Sequence, residues 1–190
     1  MNKGEHTLIL IVGRTASGKD SLVNQVCDRT GAKQLISYTT RPRRPNEGDT
    51  HRFVTEDDYQ TFASNNQIAA FTQIGQYKYW CTFDQLYEAS FYVIDPDGIK
   101  TLRDLNVPNL RLVTVYIHVS DEERQRRALE VRKDDKIAFR TRDFNERNQF
   151  REFERNLEFN YSIKNLDFAK SYSCLRWIAT IEGVLTRQTN

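Results

Sequence analysis

Gly13-Arg14-Thr15-Ala16-Ser17-Gly18-Lys19 has the spacing G-x-x-x-x-G-K, and those residue types in that order suit the holding of a polyphosphate. Backbone N–H groups curl around phosphate oxygens, glycine tolerates the left-handed turn the curl requires, and the lysine reaches the β- and γ-phosphates. A Ser or Thr ordinarily follows the lysine and contacts Mg²⁺. Here Asp20 stands in that place with Ser21 next to it, so the expected metal contact is Asp20 through water, or Ser21. The expected ATP-binding set is Gly13, Arg14, Thr15, Ala16, Ser17, Gly18, Lys19, Asp20 and Ser21.

Two further clusters carry cations. In Ser37–Asp49 the guanidiniums of Arg41, Arg43 and Arg44 are spaced by Pro42 and Pro45. Guanidinium donors pair phosphate oxygens two at a time, and proline lowers the chain entropy lost on ordering them. On residue types alone the segment reads as a phosphate fork, a solvated loop or a basic patch. The other cluster is Arg124, Arg126, Arg127, Arg132, Arg140, Arg142 and Arg147, within a stretch of about 24 residues. A phosphoryl-transfer transition state spreads charge over three oxygens and needs such donors in a dry site. The plainer alternative pairs these arginines with Glu122, Glu123, Glu130, Asp143 and Glu146 along solvated helices, at a few tenths of a kcal/mol each.

The whole-chain arithmetic bounds the class. Among 190 residues, 28 basic side chains face 26 acidic ones for a net charge of +2, so the position of the basic residues decides which anion is bound. Hydrophobic residues make up 38% and aromatics 12%, with mean hydropathy −0.69, a polar but foldable composition. The longest aliphatic run, Leu8–Val12, is five residues against the roughly 20 a membrane span needs. The opening MNKGEH lacks a signal-peptide pattern, and Cys27, Cys81 and Cys174 are odd in number without metal-ligand spacing. A membrane protein, a disulfide scaffold and a zinc module are disfavoured, and reduced thiols fit the cytoplasm.

The elements that must position these clusters are also legible. His6–Val12 is a continuous apolar run ended by Gly13, as in a strand buried on both faces. Gly18–Thr30 follows with Leu22, Val23 and Val26 at helical spacing and Gly31 as C-cap. Phe91–Ile94 and Leu112–Val119 repeat the pattern, each before a helix-like charged stretch, so a parallel sheet with right-handed crossovers is expected. Leu35–Thr40, His51–Val54, Ile68–Thr72 and Tyr77–Cys81 read as short strands around a helix, Glu56–Ser64, capped by Thr55. Ser120 and Glu123 predict a capping box, Asp134–Asp135 a break, and a second long helix to about Leu157 with an irregular stripe of Phe139, Phe144, Phe150, Phe153 and Phe159. Tyr161–Lys164 and Leu175–Leu185 read as a last strand and a closing helix.

The order GxxxxGK, then S-x-T-T-R-P-x-R-P-x-E-G over residues 37–48, then a strand ending Phe53-Val54, resembles the guanylate kinase family of nucleoside monophosphate kinases. Gln76–Thr82 stands where the family has a G-x-Y-Y-G-[ST] run, and Ile94-Asp95-Pro96-Asp97-Gly98 where it has I-D-x-x-G. The resemblance implies a P-loop three-layer α/β/α fold: one domain with a parallel-sheet core (1–34, 90–128, 156–190), an α+β acceptor-binding lobe (35–89) and a helical lid (about 129–155). It implies that Arg41, Arg44 and Tyr79 hold the acceptor phosphate, with His51 where the family usually has a further tyrosine. Ser37 then faces the base, Cys81 stands where the family has a serine, and Asp95 lies near the phosphates and the metal. Asp95 before Pro96 also suits a plain strand-end turn. Of the arginine-rich stretch, Arg127, Arg132 and Arg142 match the lid arginines, with Arg147 next.

The departures concern the base. Ala70 (Ala69 on a shifted register) replaces the glutamate that reads guanine, and Val93 replaces the first aspartate of D-I-D. An unpaired guanine donor edge costs roughly 1–3 kcal/mol, so guanylate specificity does not follow. The expected activity is transfer of the ATP γ-phosphate, with Mg²⁺, to a nucleoside or deoxynucleoside monophosphate. The partners are small nucleotides, with no nucleic acid and no membrane, in a monomer or homodimer. Tyr77, Tyr79 and Trp80 around Lys78 otherwise suggest a single-strand stacking platform, but strand alternation sends Trp80 to the opposite face. Gly18-Lys19-Asp20-Ser21-Leu22 also resembles ribose 1,5-bisphosphate phosphokinases, and a catalytically inactive guanylate-kinase-like binding module is the reading from another class.

Overall fold

The computed structural model describes residues 5–44 and 48–186, so Pro45, Asn46 and Glu47 of the arginine-proline segment lie outside the described residues. Five parallel strands form the central sheet in the order β2-β7-β1-β8-β9: β1 (His6–Val12), β2 (Gln34–Leu35), β7 (Phe91–Val93), β8 (Leu110–His118) and β9 (Tyr161–Lys164). β1 is in register with β8 from His6↔Leu110 to Val12↔Tyr116, and this central position explains its unbroken apolar run. Successive β1 side chains alternate between two cores. Leu8, Leu10 and Val12 join Tyr92, Ile99, Leu102, Tyr116, Phe150 and Phe153 on one face. Ile9 and Ile11 join Leu22, Val23, Val26, Val115, Ile163, Leu175 and Ile178 on the other. Helices α1 (Lys19–Thr30) and α7 (Phe168–Ile181) cover the second face, and α4 (Pro96–Asp104) and α6 (Lys136–Arg155) the first. The architecture is the expected three-layer α/β/α fold.

A second sheet, β4-β3-β6-β5, is built from β3 (Tyr38–Thr39), β4 (Arg52–Phe53), β5 (Ile68–Ile74) and β6 (Tyr77–Thr82). It has its own aromatic core, in which Trp80 is fully buried against Tyr38, Tyr59 and Phe62 at ring distances of 5.5, 5.1 and 5.9 Å. Thr55 and Asp58 form a reciprocal capping box on α2 (Glu56–Ser64).

Several expectations are corrected. Leu35–Thr40 is not one strand: Gln34–Leu35 pairs with β7 in the central sheet and Tyr38–Thr39 with β6 in the other, so the chain changes sheets at Ile36–Ser37. Helix α3 (Phe83–Glu88), with its Thr82–Gln85 capping box, is a short element that the strand pattern hid. α7 begins at Phe168, capped by Asp167, rather than at Leu175, and ends at Ile181. Ser120 caps α5 (Asp121–Arg126) through the Glu123 amide, but the Glu123 carboxylate turns to Arg126 and Arg127 instead of closing the box. α5 then widens into a π turn, Arg127–Val131, closed by Arg132 N–H to the Arg127 carbonyl at 3.0 Å. The break follows it, and Asp135 caps α6. Of the phenylalanine stripe, Phe139, Phe150 and Phe153 are buried, whereas Phe144 is 71% exposed.

Candidate active site

The G-x-x-x-x-G-K segment joins β1 to α1, as expected. Its curl uses left-handed backbone at Ala16 (φ 64°) and Gly18 (φ 88°), and the Ser17 amide donates back to the Arg14 carbonyl at 3.1 Å. Gly13 is required by close approach: a Cβ there would lie 2.3 Å from the Ile117 carbonyl oxygen of β8. A Cβ on Gly18 would lie 2.5 Å from Asn165 Nδ2. Ala16 carries its left-handed turn with a methyl group, at a strain of roughly 1–2 kcal/mol. That methyl packs on Ala128 and Phe139, a small core joining the loop to the π turn and α6.

The loop is held from outside by residues far along the chain. The Ser17 carbonyl accepts from Asn165 Nδ2 at 2.8 Å and from an Arg127 guanidinium nitrogen at 3.2 Å, and the other terminal nitrogen of Arg127 donates to the Asn165 carbonyl at 2.6 Å. Arg127 therefore braces the loop backbone. Arg14 is likewise engaged, with Asp121 at 3.1 Å and Asp143 at 2.7 Å. Arg124, only 2% exposed, bonds the same two carboxylates at 2.6 Å each and reaches the Thr15 carbonyl at 3.4 Å. The Thr15 amide donates to Glu146 of α6 at 2.7 Å. Burial pushes the Glu146 carboxyl above its ordinary range, against the pull of that N–H and of Lys19, Arg124 and Arg14.

Lys19 and Asp20 open α1, 3.4 Å apart. Burial is the largest single influence and opposes the Asp20 charge, but Lys19, a backbone N–H and His51 together outweigh it, and the carboxyl lies below its ordinary range. Ser21 is exposed beside them. Asp20 and Ser21 are hard oxygen donors at the lysine end of the loop, which suits Mg²⁺. Asp95 caps α4, with Oδ1 accepting from the Gly98 amide at 3.0 Å, Gln149 at 3.2 Å and Thr72 at 3.3 Å. Burial raises its pKa, with Asp97 adding to the shift. These contacts are those of a strand-end cap. Among the described residues, no three His, Cys, Asp or Glu side chains converge as a metal site.

On the second sheet, Ser37 Oγ and His51 Nδ1 are 2.9 Å apart, and the His51 ring meets the Tyr79 ring edge-on at 5.6 Å. Arg41 is 7% exposed with its guanidinium over Phe53, whereas Arg44 is exposed. Ser37, Arg41, His51 and Tyr79 thus share one edge of the lobe, on the side that acts on Asp20. Cys81 is fully buried in the apolar cluster with Ala69 and Ala70. Burial pushes its thiol up to about 12, so it stays neutral. Tyr92, which nothing in its strand pattern singles out, reaches between Ser37 and Cys81, and burial holds its phenol well above the ordinary range.

Three further arginines of the charged stretch pair with acids. Arg132 and Arg142 converge on one oxygen of Asp134 at 2.6 and 2.8 Å, and Arg147 lies 3.7 Å from Asp143. Asn165, Glu146 and Asp134 are the participants that sequence reasoning missed. An asparagine after a strand and acids in a charged helix carry no distinguishing pattern.

The guanylate kinase family model matches residues 5–180. The chain is 22% identical over 194 residues to a guanylate kinase of Campylobacter jejuni (strain RM1221), spanning 96% of this chain and 92% of that protein. It is 30% identical over 132 residues to a guanylate kinase of Rhodopirellula baltica, 63% of each chain. The crystal structure of guanylate kinase from Anaplasma phagocytophilum superposes with a TM-score of 0.68 at 20% identity, covering 98% of this chain and 90% of that one, a likeness of fold. With a nucleotide loop, an arginine-bearing second sheet and a family match running from the first strand to the closing helix, this chain belongs to the guanylate kinase family.

Proposed function

We propose that the protein transfers the γ-phosphate of ATP to a nucleoside or deoxynucleoside monophosphate. The observation that carries this reading is the loop at residues 13–19, whose Thr15 amide already holds a carboxylate beside Lys19. Such a loop is built for anions. Lys19 and the loop amides hold the donor phosphates; Arg41, Arg44 and Tyr79 hold the acceptor phosphate, with Ser37 and His51 at its nucleoside side. Mg²⁺, held by Asp20 or Ser21, supplies charge neutralisation for the donor phosphates.

An acceptor phosphate oxygen attacks the γ-phosphorus as the bond to the β–γ bridging oxygen breaks. The acceptor is already an anion, so no general base is needed and positioning does the work. Segment 129–155 serves as the lid. Arg132 and Arg142, which share Asp134, are the pair assigned to turn onto the transferring group, and closure keeps water from taking it. Arg127 supports the loop. Where the resemblance puts the guanine-reading glutamate stands Ala70, buried in one cluster with the neutral Cys81 thiol. Base selectivity therefore differs from that of a carboxylate-reading site.

The test is ATP consumption against a panel of ribo- and deoxyribonucleoside monophosphates plus ribose 1,5-bisphosphate. Turnover with a nucleotide and none with the sugar is expected. Turnover with the sugar alone moves the acceptor to that class. Silence with every acceptor, with peptide binding retained, overturns the kinase reading.

A further inference from the structure

One face of α6 carries Phe139, Asp143, Glu146, Phe150 and Phe153, spaced by three or four residues as a single helical stripe. The phenylalanines enter the apolar cores. Two carboxylates on the same stripe require partners, because a buried charge without one is costly. Asp143 has them in Arg14 at 2.7 Å and Arg124 at 2.6 Å. Glu146, three residues on, has the Thr15 amide at 2.7 Å, inside the phosphate loop. It also feels the positive charges of Lys19, Arg124 and Arg14. A carboxylate oxygen and a phosphate oxygen ask the same of an N–H group, a short charge-assisted bond.

We propose that Glu146 is a residue of the donor site, an internal carboxylate that holds the Thr15 amide until a nucleotide phosphate displaces it. Phe139 on Ala16 and Asp143 on Arg14 and Arg124 set the helix against the loop, so Glu146 is delivered to the amide by packing on both sides. An arriving polyphosphate meets an occupied donor and a like charge. It binds when Glu146 swings away, and the loop stays curled in the meantime because the anion-shaped space is filled. Donor affinity is thereby set below what the loop alone would give. The proposal rests on the reading of residues 13–19 as a polyphosphate loop.

The experiment is titration calorimetry of the full chain with inorganic tripolyphosphate, which carries no base, in the absence of divalent metal. Glu146→Ala removes the competitor and should tighten binding about ten-fold, with Glu146→Gln, which keeps the shape and loses the charge, in between. Glu152→Ala, the same charge change at an exposed position of the same helix, should move binding by less than about two-fold. Should Glu146→Ala fail to fold, the glutamine variant carries the test. Unchanged or weaker binding by both Glu146 variants, with wild type still binding, overturns the proposal alone. Equal tightening by Glu152→Ala also overturns it, since net charge would then explain the gain. No binding by wild type or any variant overturns the loop reading as well.

Discussion

The Asn165 side-chain amide donates to the Ser17 carbonyl at 2.8 Å, joining residues 148 positions apart. Asn165 is 2% exposed and its carbonyl accepts from Arg127, so the Ser17 carbonyl is fixed by two partners. Asn165→Asp replaces the donor with an acceptor facing a carbonyl. Binding of ATP and of tripolyphosphate should weaken together by about ten-fold. Calorimetry with the two ligands checks this, because loss confined to ATP would mean that Asn165 acts on the nucleoside and not on the loop.

Arg124 ties Asp121 and Asp143 together beneath the loop. Arg124→Met leaves Asp143 to Arg14 and the more distant Arg147 and takes a buried partner from both carboxylates, which should cost about 3–5 kcal/mol. For a chain of this size the corresponding fall in Tm is roughly 10 °C. Thermal unfolding measures it, and a change of only a degree or two would mean that water already satisfies these carboxylates.

Glu123 accepts from Arg126 at 2.8 Å and from Arg127 at 2.7 Å, and these bonds hold its carboxyl at about 2, from an ordinary 4.5. A carboxylate depressed in the folded state contributes stability that is complete above its unfolded pKa and is lost as pH falls toward the folded one. The Tm difference between wild type and Glu123→Gln should therefore be largest near about pH 7 and shrink steadily toward about pH 3. Surface screening keeps the difference small, so a low-salt buffer gives the clearest reading.

Lys19→Ala should reduce phosphoryl transfer by about a hundred-fold or more, since it removes the cation of the donor loop. Arg41→Lys keeps a charge but loses the bidentate fork, and should raise the acceptor KM about ten-fold while the ATP KM stays within about two-fold. Steady-state kinetics with each substrate varied separates the two. A shift in the ATP KM for Arg41→Lys would remove Arg41 from the acceptor side.

Runs and spacings within a few residues carried most of the fold. His6–Val12 with Gly13 and Gly18 announced a buried strand, a curled loop and a helix, because continuous burial and left-handed turns each demand particular residue types locally. The arginine-proline segment and the aromatics around Trp80 were legible for the same reason. The split of Gln34–Leu35 from Tyr38–Thr39 was not, since both pieces are extended and only their partners, β7 and β6, assign them to different sheets.

Residue identity also pointed to phosphate: a glycine loop with Lys19 and two clusters of arginines suit an anion. Which partner each cation takes was decided by long-range contact. Arg127 and Arg147 both stand four residues from an acid, Glu123 and Asp143, yet Arg127 braces the Ser17 carbonyl while Arg147 stays at the surface. Glu146 reads as one more solvated acid until α6 packs Phe139 on Ala16 and brings it to the Thr15 amide. A local pattern states what a side chain can bond. Its partner depends on which distant segment the cores press against it, and that is a property of the packed molecule.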